Sequence, residues 1–492
     1  MSITISSDLE MSDNLSTASE SENSKPNETT TNWRLIIITG IVSALISVEN
    51  SVLGMGEWPY MSQIDSQATV DFFGVTQSAA KGVHAIFAVV FSVWSFKART
   101  VKIPMLFGRF ISLLGCILYL GVEFAPSGRR YVLLTVYIIL GISNSASTVL
   151  RGYIVMCSAV QDRSKAFAFI GLSSIVSIVV GPIIQLIFSG ISYPGFQVFP
   201  GIRFHIFSAP IWISFLFTII TIVIVMFFMH DVHPPVKAKN KNSVSFSELF
   251  SIETVKKTIN DLRQSGLKWR LIAVCLFVKI AVTFANATMG SIMSIIFMVQ
   301  YGWSGSSTVV ISAVMMIGFG VISSGILVLY VVARLGEILP QERVLFGCLL
   351  AIGLMFVITY PFPFDSQPIT PYNATTDDGC NPEKYTWCES AIALNPYFFM
   401  IAIVLVFAPT MPMMSTGLDT VYSKVLGNID QNVAQGAMTV VEDIVSTATP
   451  ILVTSLFTAF GVGPLWITKA CIFIVSAAVW FLHMRQIRKQ IS

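Results

Sequence analysis

Charge is what this chain has least of. Asp, Glu, Lys and Arg make up 12% of its 492 residues, against about a quarter in soluble domains, so a solvated surface cannot be built from it. Histidine is scarce too, with five in all, and the seven cysteines never combine with them at metal-ligand spacing. No metal centre is expected, and no cofactor. No Gly-rich phosphate loop and no supported Ser/His/Asp set is present, which argues against nucleotide hydrolysis and against an enzyme. The net charge of +3 is spread over short connectors without a basic face, so nucleic acid is not an expected partner. Residues 1–32 have neither the basic n-region nor the apolar h-region of a cleavable signal; rich in Ser, Thr, Asn and Glu, they read as a disordered tail.

What is abundant is apolar sequence. Hydrophobic residues are 54% of the chain and the mean hydropathy is +0.73. Crossing a bilayer takes about 20 apolar residues, and runs of that size begin near Trp33, Phe72, Pro104, Tyr131, Ala166, Phe204, Arg270, Ser306, Arg343, Asn395, Asn432 and Pro464. Six lie on each side of a polar, basic stretch from His230 to Arg270. The expectation is an all-α membrane protein: twelve transmembrane helices in two six-helix bundles at 33–229 and 270–484, a linker at 230–269, and a short tail at 485–492. Lys and Arg concentrate in the connectors that an inside amino terminus places inside, against Arg129, Arg130, Arg203 and Lys384 outside, so both termini are expected in the cytosol. Within the linker, Ser245 and Glu248 form a capping-box pattern, and Phe246, Leu249, Phe250, Val255, Ile259 and Leu262 recur at helical spacing. This reads either as a surface helix on anionic membrane lipid or as a plain linker helix.

The outer loop 361–394 carries the sequon Asn373-Ala374-Thr375 and the pair Cys380 and Cys388; on a non-cytosolic face a glycan and a disulfide are expected. The other five cysteines read as packing residues.

An ionisable group in hydrocarbon costs about 2.5–3.5 kcal/mol even on the lenient insertion scale, so intramembrane charges mark structure or function. The candidates are Glu49, Lys81, His84, Arg151, Lys279, Glu442 and Asp443, with Asn286 beside them. At about 1.5 Å per residue, Glu49 and Lys81 fall at similar depths in the first two runs, and Lys279 matches Glu442 and Asp443 in the seventh and eleventh. Two readings stand for each expected pair: groups along an aqueous pathway for a charged solute or proton, or ion pairs that hold helices together. Arg151 sits where it could snorkel to headgroups; Arg109 and Glu123 read as close enough to helix ends to need no partner. Pro182, Pro409 and Pro412 interrupt apolar runs and are expected as hinges.

Several segments together resemble the major facilitator superfamily, and within it a lysosomal branch associated with ceroid lipofuscinosis. They are Trp58-Pro59-Tyr60 with Ile64-Asp65; Leu140-Gly141-Ile142 with Arg151 and Tyr153; Gln161-Asp162-Arg163; Gly181-Pro182; Gly379-Cys380 with Trp387-Cys388; Tyr422 to Gly427; and Gly463-Pro464 with Trp466. The resemblance implies secondary transport of a small solute by alternating access across an endolysosomal membrane. The alternatives it leaves open are a chloride-type anion channel and a non-transporting receptor or scaffold on the same fold. The chain departs from the family pattern at Tyr137, where an arginine tied to proton coupling is usual, and at Ser95 to Arg99, where the gate loop lacks its acidic residue.

Overall fold

The computed structural model describes residues 31–98, 100–158, 162–231, 268–332, 339–363, 366–373, 379–426 and 431–491. The expected surface helix after Ser245 lies outside these residues, as does most of the tail 1–32.

The first half comprises α1 (Trp33–Leu53), a short α2 (Glu57–Ile64), α3 (Val70–Ala98), α4 (Lys102–Leu120), α5 (Arg129–Ser145), α6 (Val149–Cys157), α7 (Arg163–Ile187) and α8 (Ala209–Phe228). The second comprises α9 (Trp269–Val299), α10 (Gly305–Val332), α11 (Gln341–Ile358), α12 (Pro396–Leu426), α13 (Gln431–Phe460) and α14 (Val462–Ile491). Among the described residues, eleven helical stretches are long and apolar enough to cross a membrane. The helix α7, in the fifth position, adds the apolar segment Val176–Ile187, so the arrangement is consistent with twelve crossings. Two expected helices are broken. The first run ends at Leu53, and Glu57 starts a separate short helix; the fourth is interrupted by a 3₁₀ turn at Ala146–Thr148.

Local chemistry accounts for the ends. The Asn32 side chain accepts a hydrogen bond from the Leu35 N–H at 3.3 Å, which caps α1. Pro412 deprives the Ala408 carbonyl of its helical donor, and the Ser323 hydroxyl donates to that carbonyl at 2.7 Å. A proline in α12 is thereby accommodated by its neighbour α10. Outward side chains such as Ile41, Phe107, Leu114, Leu216, Leu354 and Leu405 are exposed, as a lipid-facing surface requires.

The packing repeats. In the first half α1 packs on α7, α3 on α5, and α4 on α5 and α8; in the second, the equivalents α9 on α13, α10 on α12, and α11 on α12 and α14 do the same. Across the halves α3 packs on α13 and α7 on α10, again an equivalent pair. This is the pseudo-two-fold plan of a duplicated six-helix unit.

The helix ends opposite the termini carry two small hairpins, β1 (Phe196–Phe199) with β2 (Ile202–Phe204), and β3 (Ser366–Pro368) with β4 (Ile392–Leu394). Both pairs are antiparallel. The second lies in the loop that holds the disulfide Cys380–Cys388, whose Cα atoms are 5.7 Å apart. Asn373 is exposed in the same loop.

Candidate functional site

A cavity of about 820 Å³ lies between the two halves. The first half supplies Asn50, Glu57, Gln77, Lys81, His84, Tyr137 and Asn144; the second supplies Asn286, Ser294, Glu442, Asp443 and Ser446. Of the intramembrane groups singled out in the sequence, Lys81, His84, Asn286, Glu442 and Asp443 therefore meet on one wall system, and Pro182 joins them. Apolar side chains, among them Phe73, Leu140, Met289, Met293 and Met315, complete the lining.

Helix packing sets this geometry. Along α3 the small residues Gly74, Ser78 and Gly82 let α13 approach: a Cβ on Gly74 would meet the Thr454 side chain, and one on Gly82 would lie 3.2 Å from the Thr447 methyl. The Ile451 N–H donates to Ser78 Oγ at 3.3 Å. On the other side Gly320 of α10 faces Ile178 and Val179 of α7, and Gly305 faces Pro59 and Phe207. These approaches lie at mid-membrane or nearer the hairpin face. On the terminal side of these approaches the Glu442 side chain, which lines the cavity, is 38% exposed and that of Asp419 is 49% exposed.

The ionisable groups divide into satisfied and unsatisfied sets. Lys279 Nζ stands 2.6 Å from Glu442 and 3.5 Å from Asp419, so the expected second-half pair forms with Glu442. Asp419 joins it and Asp443 does not. Glu57 takes a short hydrogen bond from Gln77. Lys81 makes no ion pair or hydrogen bond among the described residues, nor does the Asp443 carboxylate, although Lys81 lies within Coulombic reach of Asp443, Glu57 and His84. Among the described residues the Tyr137 hydroxyl, buried at the cavity wall, has no hydrogen-bond partner.

The first-half pair is a correction. Glu49 does not meet Lys81; its partner is Arg109, at 3.1 Å, and both are buried. Arg109 also donates to the Ser143 hydroxyl at 3.1 Å, and Ser112 donates to Glu49 at 2.5 Å. The first two spanning helices, α1 and α3, do not pack on each other: α1 packs on α7 and α8, and it reaches α4 through the Glu49–Arg109 contact. Neither residue lines the cavity. Arg109 belongs to a buried network, against its reading as a group near a helix end. Arg151 is exposed on α6, away from the cavity lining. Pro412 borders a smaller cavity of about 230 Å³ together with Asn286 and Met411, whereas Pro409 lines neither.

Sequence reading missed four residues. Arg109 would have emerged from depth arithmetic taken from Lys102, which places it about 10 Å along α4. Asp419 stands in an apolar run, as Lys279 does. Glu57 was hidden by its place in a loop between runs. Lys469 is fully buried, with Nζ 4.0 Å and 4.7 Å from the Trp466 and Phe356 ring centres and no hydrogen-bond partner among the described residues; it does not line the cavity.

The Major Facilitator Superfamily profile matches residues 36–375, well over half the chain. The chain belongs to this superfamily. One curated relative is the major facilitator superfamily domain-containing protein 8 of Xenopus laevis, 24% identical over 486 residues that cover 93% of this chain and 92% of that protein. Among solved structures, a D-xylose-proton symporter superposes with a TM-score of 0.60 at 11% identity, covering 92% of this chain and 97% of the other. A bacterial homologue of the human lysosomal transporter Spinster, inward-facing and unoccupied, superposes with a TM-score of 0.57 at 12% identity, covering 93% and 98%. At such identities these structures establish the shared superfamily fold alone.

Proposed function

We propose that this protein is a secondary-active transporter that moves a small charged solute across an endolysosomal membrane by alternating access, with both termini in the cytosol. The observation that carries the reading is the cavity itself: one space between two duplicated six-helix units, lined by ionisable side chains of both, with close helix approaches at mid-membrane and toward the hairpin face. Rocking of one unit against the other about such a site is how transporters of this architecture work. The excess of Lys and Arg in the connectors on the terminal side supports the orientation. The disulfide loop with the exposed Asn373 fits a lumenal, glycosylated face. The membrane assignment draws on the motif resemblance to the lysosomal branch. An anion channel is disfavoured by the carboxylates of Glu57, Glu442 and Asp443 around the same cavity.

The test has two parts. A metabolite comparison of lysosomes with and without the protein supplies the solute, and reconstituted protein is then assayed with it in both directions. Saturable uptake that accelerates when the same solute is loaded inside the vesicles is the expected result. A current that persists without saturation or exchange would overturn the carrier in favour of a channel.

A further inference from the structure

Among the described residues, one cationic and one anionic side chain of the cavity lining have no ion pair or hydrogen bond. Lys279 pairs with both Glu442 and Asp419, and Glu57 accepts a hydrogen bond from the neutral Gln77 amide. Lys81 from α3 and Asp443 from α13 face the same space, each without an ion pair or hydrogen bond among the described residues. They come from opposite halves, at the end of the seam where Gly82 meets Thr447. The unpartnered Tyr137 hydroxyl is buried at the same wall.

While the cavity is open, water solvates both charges. In an occluded intermediate that water is reduced, and a charge without a counter-charge becomes costly. A monoanion would compensate Lys81 and leave Asp443 bare; a monocation would do the reverse; a neutral solute would compensate neither. A solute that carries both charges compensates both in one event. Phe73, Met289, Met293 and Met315 offer its remainder an apolar wall, and a cavity of about 820 Å³ falls within the usual range for small-molecule sites.

We infer that the transported solute is a zwitterion with an apolar body, its cationic group set against Asp443 and its anionic group against Lys81. An amino acid, a short peptide and a phosphate-bearing zwitterion share this chemistry. The inference rests on the carrier reading above and names the substrate class of that site.

The test is calorimetric titration of the purified full-length protein in detergent with L-phenylalanine, a methionyl-methionine dipeptide and p-nitrophenyl phosphorylcholine. Each of the first two is compared with its methyl ester, which keeps the positive charge alone, and its N-acetyl derivative, which keeps the negative charge alone. At least one of the three zwitterions is expected to bind; for the first two, binding should be at least tenfold tighter than to either derivative. The arm that binds identifies the source. Lys81→Met should abolish the preference for zwitterion over ester and keep that over the N-acetyl compound; Asp443→Asn should do the opposite. Equal or tighter binding of a singly charged derivative, binding of no zwitterion, or equal losses for all ligands in both variants would overturn the inference. The wild-type comparison stands even if a variant fails to fold. Because binding is read without flux, a zwitterion that binds but is never exchanged across vesicles would overturn the carrier and leave this inference intact. Saturable exchange of a singly charged solute would do the reverse.

Discussion

The Glu49–Arg109 pair shows what a buried charge does when it has no access to the cavity. Both side chains are almost fully withdrawn from solvent, and Ser112 and Ser143 occupy further hydrogen-bonding positions on them. Removing one partner of such a pair costs about 3–5 kcal/mol, because the other charge stays buried and bare, whereas replacing both with apolar residues of similar volume is close to neutral. Glu49→Gln should therefore lower the thermal midpoint sharply, and Glu49→Leu combined with Arg109→Met should recover most of the loss. Equal destabilisation by the single and double variants, read by scanning fluorimetry in one detergent, would show that the network does not act as a unit. The sequence made the second ion pair visible and concealed this one for a definite reason. Depth matched Lys279 to Glu442 because those residues sit in α9 and α13, which pack directly. The same arithmetic matched Glu49 to Lys81, but depth says nothing about which helices are neighbours, and α1 packs on α7 and α8 instead.

At the scale of elements, the cap on the hairpin face is held by one carboxylate. Glu123, in the turn after α4, faces Tyr60 of α2 at 3.4 Å, Arg203 of β2 at 3.7 Å and His205 at 3.5 Å. Arg129 donates to its backbone carbonyl, and Tyr193 stands against the His205 ring. The backbone N–H groups of Phe207 and Ser208 both point at His205 Nδ1, which makes Nε2 the protonated nitrogen, aimed at Glu123. Burial alone would raise the Glu123 pKa; the hydrogen bond from His205, the charge of Arg203 and the hydrogen bond from Tyr60 outweigh burial and hold it below the usual carboxylate value. A depressed carboxylate contributes stability that is fully present above its unfolded pKa, about 4.3, and is lost as pH falls through the folded value. The thermal midpoint of the wild type should thus drop between about pH 5 and pH 3. Glu123→Gln should start lower at neutral pH and drop less over that window, and parallel curves for the two proteins would count against the assignment. None of this was legible in the sequence: Glu123 lies in one connector and Arg203 and His205 in another, with no apolar run to give them a depth.

For the whole molecule, composition and run length were enough to establish the class, since every apolar run of sufficient length became a helix. The duplication was legible only as topology. The halves share no convincing residue-level identity, yet the helix pairs repeat one for one. That repetition places two seams between the halves, α3 with α13 and α7 with α10, and alternating access requires at least one of them to part. The first can be tested directly, because Gly82 and Thr447 approach across it: a Cβ on Gly82 would lie 3.2 Å from the Thr447 methyl, which suits a disulfide between cysteines placed there. In a background without the free cysteines, Gly82→Cys with Thr447→Cys should cross-link under mild oxidation and reduce exchange in proteoliposomes at least tenfold. Reductant should restore it, while solute binding from the terminal side persists throughout, because the lock closes only the hairpin face. Undiminished exchange by the cross-linked protein would mean that this seam never opens, and the transport path would then have to be sought outside the cavity between the two halves.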